Sequence, residues 1–143
     1  LGFVGVAVVD AVLVGGRWSV LDRTAGRLVV ACAVGGVSVV AAAPFNSGLL
    51  SRPRPPDSAT FDYGPAPDAV LRRARHLADL CAAHGTVLPH AAVRFPLRAP
   101  VVAGVVAGFR SAAEVTSAAH WAATDLTDAA WSDLDAAAEE PSA

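Results

Sequence analysis

Lysine and methionine are absent from the 143 residues of this chain, and tyrosine occurs once, at Tyr63. All eleven basic residues are therefore arginines, and the formal net charge is -2. No basic block stands out, so the sequence indicates neither a nucleic-acid partner nor an anionic membrane surface. Because methionine is missing and Leu1 opens directly on an apolar stretch, we expect a chain that is incomplete at its amino end.

Cysteine is scarce as well, with one residue in each of two predicted helices, Cys32 and Cys81. Neither has a CxxC partner or a nearby histidine that would complete a metal site. We therefore expect two small buried side chains rather than a disulfide, which fits a reducing cytoplasm. The amino end lacks the basic region of a signal peptide, so the predicted localisation is cytoplasmic.

Charge is missing from the whole run Leu28–Phe45, which is long enough for a membrane-spanning helix. Gly35 and Gly36 divide this run into unlike halves. The second half, VSVVAAA, is a short β-branched segment that ends at Pro44. A helix end, a glycine turn and a buried strand explain the pattern better, and a small membrane protein remains the less favoured alternative.

Three apolar segments are predicted strands of a parallel sheet, Val8–Val14, Val37–Ala43 and Val101–Ala107. A long proline-rich loop is predicted over Ser51–Pro67. Predicted helices cover Arg23–Val34 (capped by Asp22), Asp68–Ala83, Pro89–Phe95, Ala112–Ala122 and Asp128–Ala138. Alternating strands and helices predict an α/β fold with right-handed crossovers. Three strands cannot close a barrel, so the pattern indicates part of a larger fold.

Recognisable catalytic motifs are absent from the sequence. The four histidines have no metal-ligand spacing, and no nucleophile elbow or phosphate-binding P-loop occurs. We expect no metal and assign no catalytic residue within this chain.

Two segments that follow predicted strands are the candidate functional loops, Ala43–Leu50 (APFNSGLL) and Ala107–Val115 (AGFRSAAEV). Parallel α/β folds place their sites at the carboxyl ends of strands. Arg110 precedes Ser111 at a helix amino end, an arrangement that suits a phosphate group. The alternative, in which Ser111 only caps the helix and Arg110 points into water, stays open.

Together these segments resemble the aldo-keto reductase family. AGFRSAAEV is similar to its G-x-R-S-x-x-E motif after barrel strand eight, and APFNSGLL to the segment after strand seven. LVGGRWSVLD, over Leu13–Asp22, resembles strand six of the L-fucose dehydrogenase or D-threo-aldose 1-dehydrogenase branch. The resemblance covers roughly residues 9–135. It implies strands six to eight, with their helices, of a (β/α)8 TIM barrel.

The resemblance also implies a cofactor, NAD or NADP, and the residues that face it. Those residues are Phe45, Asn46, Ser47, Gly48, Gly108, Arg110, Ser111 and Glu114. Phe45, Ser47 and Gly48 would approach the pyrophosphate and nicotinamide. Arg110 and Ser111 would face the adenosine ribose or its 2′-phosphate, and Glu114 the adenine.

Departures from the family pattern concern both cofactor grip and catalysis. Ala118 stands where many members hold the adenine with asparagine. Ala42 replaces an aromatic ring that stacks on the nicotinamide, and Gly15 replaces a glutamine. The family's catalytic aspartate, tyrosine, lysine and histidine resemble nothing in this chain. Tyr63, in the proline-rich loop, is not a plausible substitute.

The function implied by the resemblance is oxidation of a sugar such as L-fucose to its lactone, with this chain supplying part of the barrel and inactive by itself. The alternative is a non-catalytic remnant, or a half-barrel that associates with a partner chain. We expect a small sugar or aldehyde substrate, with self-association through an exposed strand edge as one outcome. The predicted domain spans residues 1–135, with a disordered tail over 136–143.

Overall fold

A computed structural model describes residues 9–139 of the chain. Val8, the predicted start of the first strand, and the predicted tail residues 140–143 lie outside the described residues. In chain order the elements are β1 (Ala11–Gly15), α1 (Gly26–Gly35), β2 (Ser38–Ala42), β3 (Thr60–Phe61), β4 (Gly64–Pro65), α2 (Asp68–Ala83), α3 (Leu88–Arg94), a 3-10 helix (Pro96–Arg98), β5 (Val102–Val106), α4 (Ala112–Ala123) and α5 (Asp128–Glu139).

The main sheet has three strands in the order β1-β2-β5, all parallel. This confirms the predicted adjacency and direction of the three strands. β1 and β2 pair residue by residue without a register shift, with Leu13 opposite Val40. Between β2 and β5 it shifts once, between Val39 and Val40. The carboxyl ends of the three strands therefore meet at one edge of the sheet.

One face of this sheet is covered and the other is open. Val14, Val39 and Val102 lie on the covered face and pack with Cys32 of α1. Leu13 and Val106 lie on the other face and are 65% and 54% exposed. Leu13 reaches this face through the ordinary alternation of side chains along β1, whereas Val106 reaches it because of the register shift between β2 and β5, which pairs it with Ala42.

The apolar run Leu28–Phe45 divides at its glycine pair, as predicted. Gly36 adopts a left-handed conformation with φ of 67° and ends α1, and its backbone N–H donates to the carbonyl of Cys32. The Val37 N–H donates to the same carbonyl at 3.0 Å, and β2 starts one residue later. Within residues 9–139, no helix is long and apolar enough to cross a membrane.

The start of α1 was predicted too early. Asp22 does not cap this helix, which begins at Gly26 instead of Arg23. The Asp22 Oδ1 accepts hydrogen bonds from the N–H and the hydroxyl of Thr24, at 3.0 and 2.6 Å, and so closes a separate turn before the helix. Asp22 also pairs with Arg17 at 2.9 Å. Aspartate competes for backbone N–H groups in just this way, and the competing turn delays the helix.

The proline-rich segment 51–67 is not wholly irregular. Thr60 and Phe61 pair with Gly64 and Pro65 as a small antiparallel hairpin, β3 and β4. Asp62 and Tyr63 form its turn with φ of 49° and 66°. Both residues have the positive φ that a tight two-residue hairpin requires, although glycine is absent from these two positions.

The helical side of the chain holds the larger core. Leu77 of α2, Leu88 of α3 and Leu134 of α5 belong to one buried cluster. Helix α5 runs to Glu139, so the predicted domain boundary at residue 135 falls inside it. Cys32 and Cys81 are buried and unbridged, as predicted. Burial raises the pKa of the Cys81 thiol to about 11, so this thiol is protonated and unreactive at neutral pH.

Candidate functional site

A cleft of about 840 Å³ opens beside the carboxyl ends of β2 and β5. The loop that follows β2 forms one wall, and the loop that follows β5, with the first turns of α4, forms the other. A volume of this size is within the usual range of small-molecule sites. Its titratable lining residues are Arg52, Arg110 and Glu114, so the cleft is net positive on a chain whose net charge is -2.

The wall after β2 is built from unusual backbone conformations. Asn46, Ser47 and Gly48 have φ of 46°, 60° and 89°. Only glycine adopts such angles freely, and asparagine tolerates them better than most residues. Leu49 and Leu50 follow at zero exposure, and both belong to the larger core. Burial of the two leucines anchors this turn, because release of the turn would expose them.

Asn46 ties the end of β1 to this wall. Its side-chain Nδ2 donates a 2.8 Å hydrogen bond to the backbone carbonyl of Gly16, and the residue is only 5% exposed. Its Oδ1 is buried and has no hydrogen-bond partner within the described residues. A buried amide group without a partner is costly, so Asn46 has one satisfied and one unsatisfied end.

The opposite wall carries a linked set of polar groups at the amino end of α4. The Ser111 Oγ accepts a hydrogen bond from the Glu114 N–H at 3.2 Å. The Glu114 carboxylate reaches back and accepts from the Arg110 N–H at 2.8 Å, and it contacts the Arg110 guanidinium at 3.4 Å. Ser111 caps the helix and the Arg110 side chain stays 77% exposed beside the cleft, as in the second predicted alternative, while a phosphate at Arg110 stays a prediction.

Aromatic rings join the two walls. Phe45 and Phe109 meet edge to face with their centroids 6.3 Å apart. Phe45 belongs to the loop after β2 and Phe109 to the loop after β5, so this contact holds the two strand ends together. Edge-to-face pairs of this kind stabilise beyond their buried area. The cleft lining therefore combines apolar rings with charged and hydroxyl-bearing side chains.

Most residues predicted for the site do meet here. The cleft is lined by Phe45, Asn46, Ser47, Gly48, Gly108, Arg110 and Glu114. Ser111 is not among the lining residues, and acts on the site only through the cap of α4. At the positions that depart from the family pattern, Gly15 has open space around it and Ala118 is buried.

Several lining residues lie outside the two predicted segments, among them Arg52 and Trp121. Arg52 lies two residues beyond the candidate segment Ala43–Leu50, where the chain was treated as an irregular loop. Trp121 lies on α4, eleven residues and about three helical turns after Arg110. Helical periodicity could have placed Trp121 near Glu114 and Ser117, whereas nothing in the local sequence pattern distinguishes Arg52 from its neighbours.

Neither Tyr63 nor any of the four histidines lines the cleft. His84 pairs with Asp133 at 2.7 Å, and His90 contacts the hydroxyl of Thr86 and the carbonyl of Thr124. Tyr63 is fully exposed at the hairpin turn. No group of three or more metal-binding side chains is found among residues 9–139.

The order of elements, the parallel sheet and a cleft at the strand carboxyl ends define part of a (β/α)8 barrel. Comparison with known proteins agrees, since residues 6–139 match the aldo/keto reductase family. This chain belongs to the aldo/keto reductase family.

Two curated relatives align with 129 residues, or 90% of the chain. One is a D-threo-aldose 1-dehydrogenase from a Pseudomonas species, 36% identical, of which the chain covers 39%. The other is a pyridoxal 4-dehydrogenase from Microbacterium luteolum, 33% identical, of which it covers 37%. The chain thus spans well under half the length of these relatives.

Solved structures give the same fold. The apo and holo forms of an aldo-keto reductase from Bacillus halodurans superpose with TM-scores of 0.75 and 0.76. In each case the identity is 24%, and 96% of this chain covers 46% of the other. At this identity the comparison supports the fold of a partial barrel.

Proposed function

We propose that this chain forms the cofactor-facing part of an NAD(P)-dependent oxidoreductase barrel whose substrate is a sugar hemiacetal or an aldehyde, such as L-fucose oxidised to its lactone. The observation that carries the proposal is the cleft itself. It joins the two loops that resemble the family's cofactor loops, and its lining is net positive.

The residues of the cleft suit a dinucleotide. Phe45 and Phe109 provide apolar area for a ring, and Arg110 keeps most of its guanidinium donors available, since its one side-chain bond is a 3.4 Å contact with Glu114. A nicotinamide bound here would accept the hydride from the sugar carbon. The chain's own residues would bind and orient the dinucleotide, with Arg110 near the adenosine ribose.

The catalytic proton transfer must come from elsewhere. The chain contains no lysine, so it cannot supply the lysine of the family tetrad. Tyr63 lies at an exposed hairpin turn and outside the cleft lining. We therefore propose that residues 1–143 bind cofactor only in company with the remaining strands, and do not catalyse oxidation by themselves.

The sugar substrate is favoured by the D-threo-aldose 1-dehydrogenase relative, and an aromatic aldehyde or alcohol by the pyridoxal 4-dehydrogenase relative. The identity to the first relative is slightly higher, 36% against 33%, and therefore favours a sugar substrate. A barrel completed with the first part of the Pseudomonas relative would be assayed with L-fucose and with pyridoxal. Faster turnover of pyridoxal would reverse the order.

Arg110→Ala in that completed barrel tests the cofactor assignment. We expect the variant to lose more affinity for NADP than for NAD, because the loss of a charge-assisted phosphate contact typically costs about 1.5–3 kcal/mol. Glu114, left without its cation, would also repel the 2′-phosphate. Dissociation constants are measured by quenching of tryptophan fluorescence. Unchanged NADP affinity in the variant would remove Arg110 from the site.

A further inference from the structure

Tyr63 is an exposed aromatic residue to which the proposed function gives no role. Its side chain is fully exposed at the turn between β3 and β4, and its hydroxyl has no hydrogen-bond partner among residues 9–139. Its backbone has a φ of 66°, in the left-handed region that bulky residues rarely adopt. A ring that adds nothing to the chain's own core, at a strained backbone position, indicates a contact with something outside the chain.

The hairpin that carries this tyrosine is fixed to the body of the molecule at three points. At its base, the Thr60 hydroxyl donates to the carbonyl of Ser47 at 2.8 Å. The next residue, Phe61, is partly buried and packs against the larger core. At the tip, the Asp62 carboxylate pairs with the Arg17 guanidinium at 2.7 Å. This exposed ion pair is weak by itself, but the three contacts together hold the tip in a defined position.

The same contacts place the tip of the hairpin at the carboxyl ends of the strands. Arg17 lies two residues after Gly15, the last residue of β1, while the hairpin belongs to the segment that follows β2. The hairpin therefore crosses from the end of β2 to the end of β1. Thr60 lines the cleft, whereas Tyr63 does not. Ligands of parallel α/β folds bind outside the strand carboxyl ends, so the Tyr63 ring is placed for a substrate next to the cofactor cleft.

We propose that the ring of Tyr63 packs against the pyranose ring of the sugar substrate, and that this contact favours sugars over aldehydes without a ring. The inference rests on the proposed function, because it names a residue of the same barrel that contacts the sugar. Tyrosine supplies a large, rigid apolar face at a low entropic cost. Its hydroxyl can donate to or accept from a sugar hydroxyl. Tyr63 therefore binds substrate without taking part in proton transfer.

The test measures the kinetics of the chain completed with the first part of the Pseudomonas relative, with L-fucose and propionaldehyde as separate probes. Tyr63→Ala should raise the KM for L-fucose about three- to tenfold, because it removes an aromatic contact. The kcat should stay close to that of the wild type, since the contact is made equally in the ground and transition states. The KM for propionaldehyde, which has no ring, should stay unchanged. Tyr63→Phe keeps the ring and should retain most of the affinity for L-fucose.

Two further variants serve as controls. Asp62→Asn removes the ion pair with Arg17, and asparagine tolerates the positive φ at this position. Its KM for L-fucose should lie between those of the wild type and Tyr63→Ala. Val34→Ala truncates another apolar side chain, 86% exposed on the last turn of α1. Because α1 leads into β2, Val34 lies at the opposite edge of the sheet, and the KM of Val34→Ala for L-fucose should match that of the wild type.

Three results would overturn the inference and leave the proposed function intact, provided that the wild-type barrel oxidises L-fucose. The first is an unchanged KM for L-fucose in Tyr63→Ala. The second is an equal rise in KM for both probes, which would mean that the ring supports contact with the remaining strands. The third is a loss of NAD affinity in Tyr63→Ala, which would place the ring on the cofactor. If the wild-type barrel does not oxidise L-fucose, the sugar function and the inference both fail.

Discussion

At the scale of single residues, Asn46 shows how one side chain sets the geometry of the cleft. Its amide donates to Gly16 across two strand ends, and its backbone holds a φ of 46°. Asn46→Asp removes the donor and introduces a buried negative charge beside a carbonyl. We expect a loss of about 1–3 kcal/mol in the free energy of unfolding, measured from urea transitions of the purified chain.

Asn46→Gly separates the two contributions of this residue. It loses the same hydrogen bond, but glycine adopts positive φ without strain. Its loss of stability should be smaller than that of Asn46→Asp. A urea midpoint of Asn46→Asp equal to that of the wild type would show that the contact with Gly16 adds nothing to stability.

Asp125 should account for part of the pH dependence of the free energy of unfolding. The Arg94 guanidinium, and further hydrogen bonds from Trp131 and the Leu126 N–H, lower the pKa of Asp125 from 3.8 to about 2. A carboxyl whose pKa is lower in the folded state stabilises the fold above its unfolded pKa. That stabilisation should fade as the pH falls from about 4 towards 2. Burial alone would raise the pKa of Asp22 and of Asp135, but hydrogen bonds from Thr24 and then Arg17 lower the first and contacts with Arg98 and Arg23 lower the second, which adds to the same trend.

Asp125→Asn isolates this contribution, since the amide oxygen can still accept from Trp131. The unfolding free energy of the variant should vary less steeply with pH between 4 and 2 than that of the wild type. Asp10→Asn serves as control, because the Asp10 carboxylate has no partner among the described residues. Parallel pH curves for wild type and Asp125→Asn would contradict the assignment.

At the scale of secondary-structure elements, α4 depends on its amino-terminal cap. Ser111 supplies the side-chain cap, and Glu114 adds a carboxylate at the positive end of the helix. Ser111→Ala should cost about 0.5–2 kcal/mol and reduce helicity in circular dichroism. Ser111→Thr keeps the acceptor oxygen and should stay close to the wild type. Equal helicity in all three proteins would show that packing alone maintains α4.

At the scale of the whole molecule, the open sheet should determine whether the chain self-associates. Among residues 9–139, β1 and β5 each pair on one side only, and Leu13 and Val106 are exposed on the uncovered face. Unpaired edges with apolar side chains promote association. The chain by itself should therefore self-associate in analytical ultracentrifugation, and combination with the remaining strands should suppress this. A monodisperse monomer at all concentrations would contradict this expectation.

Catalytic activity is also a property of the whole molecule. The purified chain, mixed with NAD or NADP and L-fucose, should produce no reduced nicotinamide, because general acid–base catalysis contributes about 10²–10⁴-fold and the chain has no lysine to support it. Co-expression with the first part of a related barrel should restore turnover. Turnover by the chain alone, abolished by Arg110→Ala, would refute the view that the catalytic groups lie elsewhere.

The sequence by itself determined the sheet, because three apolar segments separated by amphipathic helices leave few alternatives to parallel strands. It also determined the two loops of the cleft, since both follow strands directly and resemble one family. The folded structure decided the polar contacts. Asp22 closes a turn with Thr24 and does not cap α1, and Glu114 offsets the charge of Arg110, in both cases through competition between hydrogen-bond partners close in sequence. Only the tertiary structure brings Asn46 to Gly16 across thirty residues of sequence, because that contact requires two strand ends to lie side by side.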